Sequence, residues 1–172
     1  MKWEAVQQLH AAAVHDVVSA AERVPADRWL QPRAEGKWSP AEVLEHLNLA
    51  YDVLLRELSG GGGMQIRTKL WQRVLLRFTM VPKILRGGGF PKGARAPKET
   101  RPTLTTTDQR MAIAAFRDRA SRIAAAASDA QSLGGVKLTH AYFGRASVCD
   151  SMLLCARHLQ HHQQQIAASQ NS

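Results

Sequence analysis

The chain has 172 residues, which at roughly 100–200 residues per domain predicts one domain spanning residues 1–172. Hydrophobic residues make up 45% and charged residues 22% of the chain, a composition that excludes disorder and low complexity, and no apolar run approaches the roughly 18 residues of a membrane span. The net charge of +9 lies within residues 65–101, which hold ten Lys or Arg against Glu99, whereas the remaining chain has 13 residues of each sign.

The first sixty residues contain two strongly patterned helices. Residues 3–22 place apolar side chains three and four positions apart, which is the period of a helix with one buried face. A second helix is predicted from 40 to about 58, because Ser39, Pro40 and Glu42 form a capping-box sequence at its start. Both segments are therefore predicted to be amphipathic helices.

The middle of the chain, residues 59–107, is predicted to be a long and partly helical crossover. An amphipathic helix is expected over 64–81, and Pro82 is expected to break it. Residues 82–107 are rich in glycine and proline and show no apolar periodicity, which predicts an irregular connection. Irregular connections of this length are unusual in a compact domain and often carry function.

The last third of the chain contains two more helices. One is predicted from about 108 to 130, with a cap offered by the threonines at 105–107. Residues 136–143 are compatible with either extended structure or a loop, and Ser147 then caps a final helix that runs to about 167. Four long helices with a crossover between the second and third predict an all-α four-helix bundle.

Histidines supply the candidate chemistry of the chain. His158 and His162 are four residues apart and so share one face of the last helix, while His46 interrupts the apolar stripe of the second helix. A buried imidazole needs a polar partner, and either a metal ion or an ordinary hydrogen bond provides one. His161 competes with His162, because a pair with His158 three residues apart is also admissible. Spacing alone leaves the three-histidine site and the hydrogen-bonded core both open.

Two segments carry a family resemblance. Residues 36–40 (GKWSP), continuing to 45–47 (EHL), resemble the second-helix motif of the DinB-like superfamily of four-helix bundles. Residues 140–144 (HAYFG), followed by 158–162 (HLQHH), resemble its C-terminal motif, particularly in a branch of bacterial proteins. The order of the motifs, their separation of about a hundred residues and the long crossover together make the resemblance specific.

The resemblance implies a divalent metal ion held by His46, His158 and His162. Three neutral imidazoles suit zinc or nickel and leave coordination positions open for water or substrate. Characterised relatives with this arrangement include metal-dependent transferases that add low-molecular-weight thiols to electrophiles, and some hydrolases. The expected function is therefore a metal-dependent thiol S-transferase or hydrolase that acts on a small-molecule substrate, such as a thiol or an anionic compound.

Several neighbouring polar residues have weaker claims to a role at this site. Glu42 and Glu45 lie close enough to His46 in sequence for either to orient its imidazole, although Glu42 also has a capping role. His140 and Tyr142 belong to the second motif, and packing is favoured over chemistry for both.

The two cysteines are expected to be free thiols. Cys149 and Cys155 are predicted to share the last helix, where six residues separate their Cα atoms by about 9 Å, too far for a disulfide. Free thiols fit a reducing compartment, and the cytoplasm is the expected location. Cys155 lies one turn before His158, where it either lines the site or serves as a small buried residue.

The basic segment 65–101 supports a different class of function. It could be a solvated surface, contact nucleic acid or an anionic lipid surface, or steer an anionic substrate toward the bundle. The alternative function is accordingly a non-enzymatic binding protein whose histidines are core residues. Trp71 and Phe78 within the segment could cover the bundle or form the contact of a homodimer.

Overall fold

The computed structural model describes residues 1–90 and 96–170, and its helices form an all-α bundle. Four helices are the members of the bundle, and a fifth, in the crossover, packs on the outside of the last one. No helix in this described part of the chain is both long and apolar enough to cross a bilayer. In chain order the elements are α1 (Trp3–Glu22), α2 (Pro40–Leu58), α3 (Leu70–Leu85), a 3-10 turn (Lys98–Thr100), α4 (Gln109–Leu133), β1 (Lys137–His140), β2 (Gly144–Ser147) and α5 (Val148–Ala167).

The predicted caps fix the starts of the two helices that carry the candidate histidines. At α2, the hydroxyl of Ser39 accepts from the backbone N–H of Glu42 (3.3 Å), and the Glu42 carboxylate accepts from the N–H of Ser39 (2.8 Å). At α5, the hydroxyl of Ser147 accepts from the N–H of Asp150 (3.1 Å). Both caps satisfy N–H groups that a helix start leaves without partners.

The cap of α4 corrects one prediction. The carboxylate of Asp108 accepts from the N–H of Met111 (2.8 Å), so the cap is Asp108 and not a threonine at 105–107. Thr105 instead donates its N–H (2.9 Å) and hydroxyl (2.6 Å) to the carboxylate of Glu45. The Glu45 carboxylate of α2, which is distant in sequence, therefore binds Thr105, one of the threonines that the local sequence pattern offered as the cap.

The core lies between the four bundle helices. α1 packs against α4 and α5, and α2 packs against the same two helices. Tyr51 of α2 stacks on Phe116 of α4 with ring centroids 5.4 Å apart, and its hydroxyl lies 2.8 Å from Nε2 of buried His10. Small alanines on the buried face of α4 let the neighbouring helices approach closely around this aromatic pair.

The segment before α5 is a β-hairpin. Of the two predicted alternatives for residues 136–143, extended structure or a loop, the structure shows extended strand at Lys137–His140. β1 pairs antiparallel with β2, and His140 lies opposite Gly144 at the turn. Glu57, near the end of α2, accepts hydrogen bonds from the N–H (2.9 Å) and hydroxyl (2.7 Å) of Thr139. The hairpin is thereby held against the end of α2 remote from Ser39.

The crossover helix differs from its prediction in extent and in exposure. α3 begins at Leu70 and runs through Pro82 to Leu85, so the expectation that Pro82 ends the helix is wrong. Helical bonding resumes beyond the proline, because the N–H of Arg86 donates to the Pro82 carbonyl (3.2 Å). Trp71 is 63% and Phe78 77% exposed, so neither covers the bundle.

The start of the crossover is fastened to the hairpin by two hydrogen bonds. The N–H of Arg67 donates to the Ala141 carbonyl (2.8 Å), and the Thr68 hydroxyl donates to the Tyr142 carbonyl (3.0 Å). Part of the predicted basic segment, residues 91–95, lies outside the described residues.

Candidate metal centre

The three predicted histidines meet between α2 and α5. His46 comes from α2, and His158 and His162 come from successive turns of α5. Nε2 of His158 lies 3.2 Å from Nε2 of His46 and 2.9 Å from Nε2 of His162. One ligand atom from each of the three lies within 4.8 Å of the others, so the group could hold a metal ion.

Hydrogen bonds at the opposite ring nitrogens fix the protons on two of these imidazoles. Nδ1 of His46 lies 2.6 Å from the carbonyl oxygen of Thr100, which can only accept, so Nδ1 carries the proton. Nδ1 of His162 likewise donates to the amide oxygen of Gln165 (2.9 Å), whose NH₂ group donates to Nε2 of His161 (3.0 Å). In neutral rings, both inward-facing Nε2 atoms therefore present lone pairs.

This arrangement of nitrogens fits a cation better than a network of hydrogen bonds. Nε2 of His158 faces two lone pairs and can donate at most one proton, so at least one nitrogen lacks a donor. Two imidazole nitrogens that ligate one tetrahedral zinc at about 2.0–2.1 Å lie about 3.3 Å apart. The observed separations of 2.9 and 3.2 Å are close to that value.

Burial keeps the three imidazoles neutral, which is the form that binds metals. His46 is 4% and His162 6% exposed. Burial, together with the nearby His46 and His161 imidazoles, lowers the pKa of His162 to about 3. Burial also lowers the pKa of His46, and burial with the neighbouring imidazoles holds the pKa of His158 well below its ordinary value.

Aromatic rings hold the imidazoles from two sides. Trp38, from the segment before α2, lies 5.0 Å from His46 and stacks nearly parallel to His162 at 6.4 Å between centroids. Phe90, from the crossover, lies 5.4 Å from His158. These contacts restrict the planes of the rings whose nitrogens converge, and they give Trp38 of the first motif a physical role.

The glutamates predicted as orienting groups do not contact the histidines, and this expectation is wrong. Glu42 remains in the capping box with Ser39. Glu45 faces away from the site and accepts from the N–H groups of Thr103 (2.9 Å), Leu104 (2.5 Å) and Thr105 (2.9 Å). Burial alone would raise the pKa of Glu45, but a hydrogen bond from the Thr105 hydroxyl, together with these three, lowers it below its ordinary value.

The actual orienting groups are the Thr100 carbonyl and the Gln165 amide. Gln165 lies three residues after His162 on α5, a spacing at which helical side chains meet, so the sequence contained a usable signal for it. Thr100 contributes a backbone carbonyl from the crossover, and no side-chain pattern identifies such a group. His161 contacts Gln165 and is not one of the three converging histidines.

The histidines open into a cavity of about 1240 Å³ between α2, α3, α5 and the hairpin. Its walls are largely apolar, with Leu54, Met80 and Leu154 among them. Among the described residues, one carboxylate, Asp150, and five cations line it: Arg33, Lys37, Arg77, Arg101 and Arg145. An apolar cavity with a few polar groups at its ends is the usual form of a small-molecule site.

Cys155 lines this cavity as an un-ionised thiol. Burial raises the pKa of Cys155 to about 12, although a hydrogen bond with Tyr51 partly opposes the shift. Both cysteines are free, as predicted. At neutral pH the Cys155 sulfur is therefore a small, protonated wall residue and a poor nucleophile.

His140 and Tyr142 also line the cavity. Nδ1 of His140 accepts from the N–H of Tyr142 (3.2 Å), and the ring stacks on Phe143 with centroids 4.4 Å apart. Burial lowers the pKa of His140 to about 4. These contacts shape the turn of the hairpin while leaving both residues at the cavity wall.

The fold and the site together define a four-helix bundle with a buried three-histidine cluster that is competent to hold a metal ion. The sequence model of the DinB superfamily matches residues 8–166, and the chain belongs to that superfamily. Searches of the curated proteins and of the solved structures gave no significant match.

Proposed function

We propose that this chain is a metal-dependent enzyme that transfers a thiol to an electrophile or hydrolyses a small molecule. The observation that carries the proposal is the convergence of three fixed, neutral imidazoles at a cavity of about 1240 Å³. His46, His158 and His162 would hold the ion, with zinc or nickel the preferred identities. When bound, such an ion acts as a Lewis acid that lowers the pKa of a coordinated water or thiol.

The residues of the chain itself bind and shield the reactants. The apolar walls exclude water, which strengthens electrostatic interactions within the cavity. Thr100 and Gln165 hold protons at the Nδ1 atoms of His46 and His162, so that the Nε2 atoms stay available. Because the thiol of Cys155 stays protonated, the nucleophile is expected to come from a substrate thiol or from water. The free cysteines fit a reducing compartment, and the cytoplasm is the proposed location.

The proposal can be tested without knowing the physiological substrate. The wild-type protein would be loaded with Co²⁺ as a spectroscopic substitute for zinc, and its visible spectrum recorded before and after adding cysteine or glutathione. We expect a new sulfur-to-cobalt charge-transfer band, because an open position beside three imidazoles admits a thiol.

Two alanine variants provide the comparison. His158→Ala should lose the cobalt spectrum, and His161→Ala, which alters a neighbouring histidine outside the converging group, should keep it. If neither thiols nor anions such as azide change the cobalt spectrum, the result would contradict an open coordination position at the ion.

The outer face of α3 supports a second candidate function, binding to an anionic lipid surface. Leu70 is 70%, Trp71 63% and Phe78 77% exposed on one side of this helix. α3 contains Arg73, Arg77 and Lys83 and no acidic residue. Exposed apolar side chains flanked by cations favour a lipid interface. Nucleic acid is bound by cations at its phosphates and by hydrogen-bonding or stacking groups at its bases.

Co-sedimentation with vesicles tests this second function. Binding to phosphatidylglycerol vesicles should exceed binding to phosphatidylcholine vesicles, should weaken with salt, and should fall in the Trp71→Ser/Phe78→Ser variant. Equal binding by the double variant would exclude the α3 face as a lipid anchor. A change in solution mass from dimer to monomer in that variant, without vesicle binding, would indicate a second copy of the chain instead.

A further inference from the structure

The cavity beside the histidines is elongated along α5. The α5 side chains that line it extend from Asp150 to Gln165, a rise of about 22 Å at 1.5 Å per residue. On α2, the lining runs from His46 to Leu54 in the opposite direction, because His46 meets the C-terminal half of α5. His158 lies about 12 Å along this lining from Asp150. One section of the cavity therefore runs from the start of α5, at one end, to the histidines, at the other.

Helix α3 runs along the same axis and forms one wall of the cavity. At the hairpin end, Nη1 of Arg77 donates to the carbonyl of Arg145 (3.1 Å). At the histidine end, Nε of Arg157 donates to the carbonyl of Leu85 (3.2 Å), which is the last residue of α3. Met80, which lies between these two attachments in the sequence of α3, also lines the cavity. α3 thus spans the apolar section between the two ends.

The hairpin end of this section carries two arginines and one carboxylate. Among residues 1–90 and 96–170, neither Arg77 nor Arg145 forms an ion pair within 4.0 Å. Asp150, the carboxylate at this end, accepts from the hydroxyl of Ser147 (2.8 Å) at the helix cap. Two guanidinium groups at the end of an apolar cavity match a carboxylate or another anionic head group.

We propose that this cavity takes an elongated amphiphile whose anionic head lies at Arg77 and Arg145. Its apolar stem lies along Leu54, Met80 and Leu154, and its reactive end reaches the histidine cluster. The eight helical steps of α5 from Asp150 to His158 correspond to a stem of about 12 Å, comparable to extended decanoate. The proposal rests on the enzymatic function proposed above, because it names the class of substrate for that same site.

Binding of decanoate to the metal-free protein tests the proposal, since no ion can then ligate the carboxylate. Isothermal titration should show saturable binding of decanoate that is at least tenfold tighter than binding of decanol. In the Arg77→Gln/Arg145→Gln variant, the affinity for decanoate should fall about tenfold while the affinity for decanol stays unchanged. Equal affinities for the acid and the alcohol, or an unchanged affinity in the variant, would overturn the proposal.

Matched variants show where the ligand sits. Lys37→Gln/Arg101→Gln removes two cations elsewhere on the lining and should leave decanoate binding intact. Leu154→Trp, with Ala50→Phe as a second filling variant, should abolish binding in a protein whose helical circular dichroism is retained. Loss of binding in Phe78→Ser, with normal binding in both filling variants, would place the ligand on the outer face of α3 and refute the cavity site.

Metal binding separates this proposal from the one on which it rests. The Arg77→Gln/Arg145→Gln variant should bind the same amount of zinc as the wild type, because neither arginine belongs to the converging histidine group. Decanoate binding without zinc binding would refute the metal-dependent function alone. Zinc binding without selective decanoate binding would refute the amphiphile alone.

Discussion

Glu45 connects the stability of the crossover to the geometry of the histidine cluster, and Glu45→Gln should disturb both. The buried carboxylate of Glu45, 8% exposed, accepts from three backbone N–H groups and from the Thr105 hydroxyl. The anchored segment, residues 103–105, lies just after Thr100, whose carbonyl holds Nδ1 of His46. Losing this anchor should therefore loosen an orienting contact of the site.

The size of the effect follows from the hydrogen bonds that a glutamine side chain cannot make at this position. Its amide oxygen could still accept from Thr105, but its NH₂ group would face the N–H groups of Thr103 and Leu104. Each donor left without a partner costs about 1–3 kcal/mol. Because residues 103–105 are exposed, we take about 1–1.5 kcal/mol for each of the two donors and expect a loss of about 2–3 kcal/mol in the free energy of unfolding.

Urea unfolding and zinc competition titration measure the two consequences. For a chain of this length, about 2–3 kcal/mol corresponds to roughly 5–10 °C in Tm, and a displaced orienting group should weaken zinc binding about tenfold. Glu42→Gln is the matched control, because it makes the same substitution in the capping box of the same helix without touching residues 103–105. An unchanged urea midpoint in Glu45→Gln, or equal zinc affinities in the two variants, would refute this reasoning.

Three further predictions follow from buried groups and backbone geometry. Burial lowers the pKa of His10 to about 4, so the stability that neutral His10 contributes is complete above pH 6.5 and is lost toward pH 4. Between pH 7 and pH 5, the free energy of unfolding of His10→Gln, measured with urea, should therefore fall by about 2 kcal/mol less than that of the wild type. Identical pH slopes of the free energy of unfolding in the two proteins would contradict the assignment. Gln165→Ala should weaken zinc binding about tenfold with little change in the urea midpoint, whereas unaltered affinity would show that Gln165 does not orient His162. Gly134→Ala should cost about 2 kcal/mol, because Gly134 ends α4 with φ +70° and ψ 162°; a change below half that value would show that the backbone relaxes.

Local chemistry in the sequence was sufficient to predict the bundle helices. The cap signals at Ser39 and Ser147 and the apolar periodicity of 3–22 predicted bounds that match α1, α2 and α5. The start of α4 was predicted to within one residue, but its capping residue was missed, because a distant carboxylate, Glu45, binds Thr105. Long-range partners of this kind leave no trace in local pattern.

The crossover shows a different limit of sequence reasoning. Pro82 was expected to end a helix, yet α3 continues for another three residues to Leu85. A proline removes one hydrogen bond, and on an exposed helix of sixteen residues the remaining bonds suffice to continue it. Whether Trp71 and Phe78 were covered depended on how the crossover crosses the bundle, which periodicity does not encode.

The candidate site was only partly accessible from the sequence. The spacing of His158 and His162 indicated a shared face, and His46 interrupted the apolar stripe of α2. The family resemblance was needed to favour a three-histidine site over a hydrogen-bonded core. Gln165 could have been found from its spacing to His162, whereas the Thr100 carbonyl could not, because every residue carries the same backbone acceptor. The assignment of the three histidines as ligands remains a prediction that a metal measurement must test.

Elemental mass spectrometry of protein purified without a histidine tag or chelator tests the central claim most directly. The wild type and the His161→Ala variant should each carry one divalent ion per chain, or take one up from added zinc or nickel. His46→Ala and His158→Ala should carry none while retaining helical circular dichroism. Full metal content in His46→Ala or His158→Ala, or no uptake by the wild type, would contradict the three-histidine site.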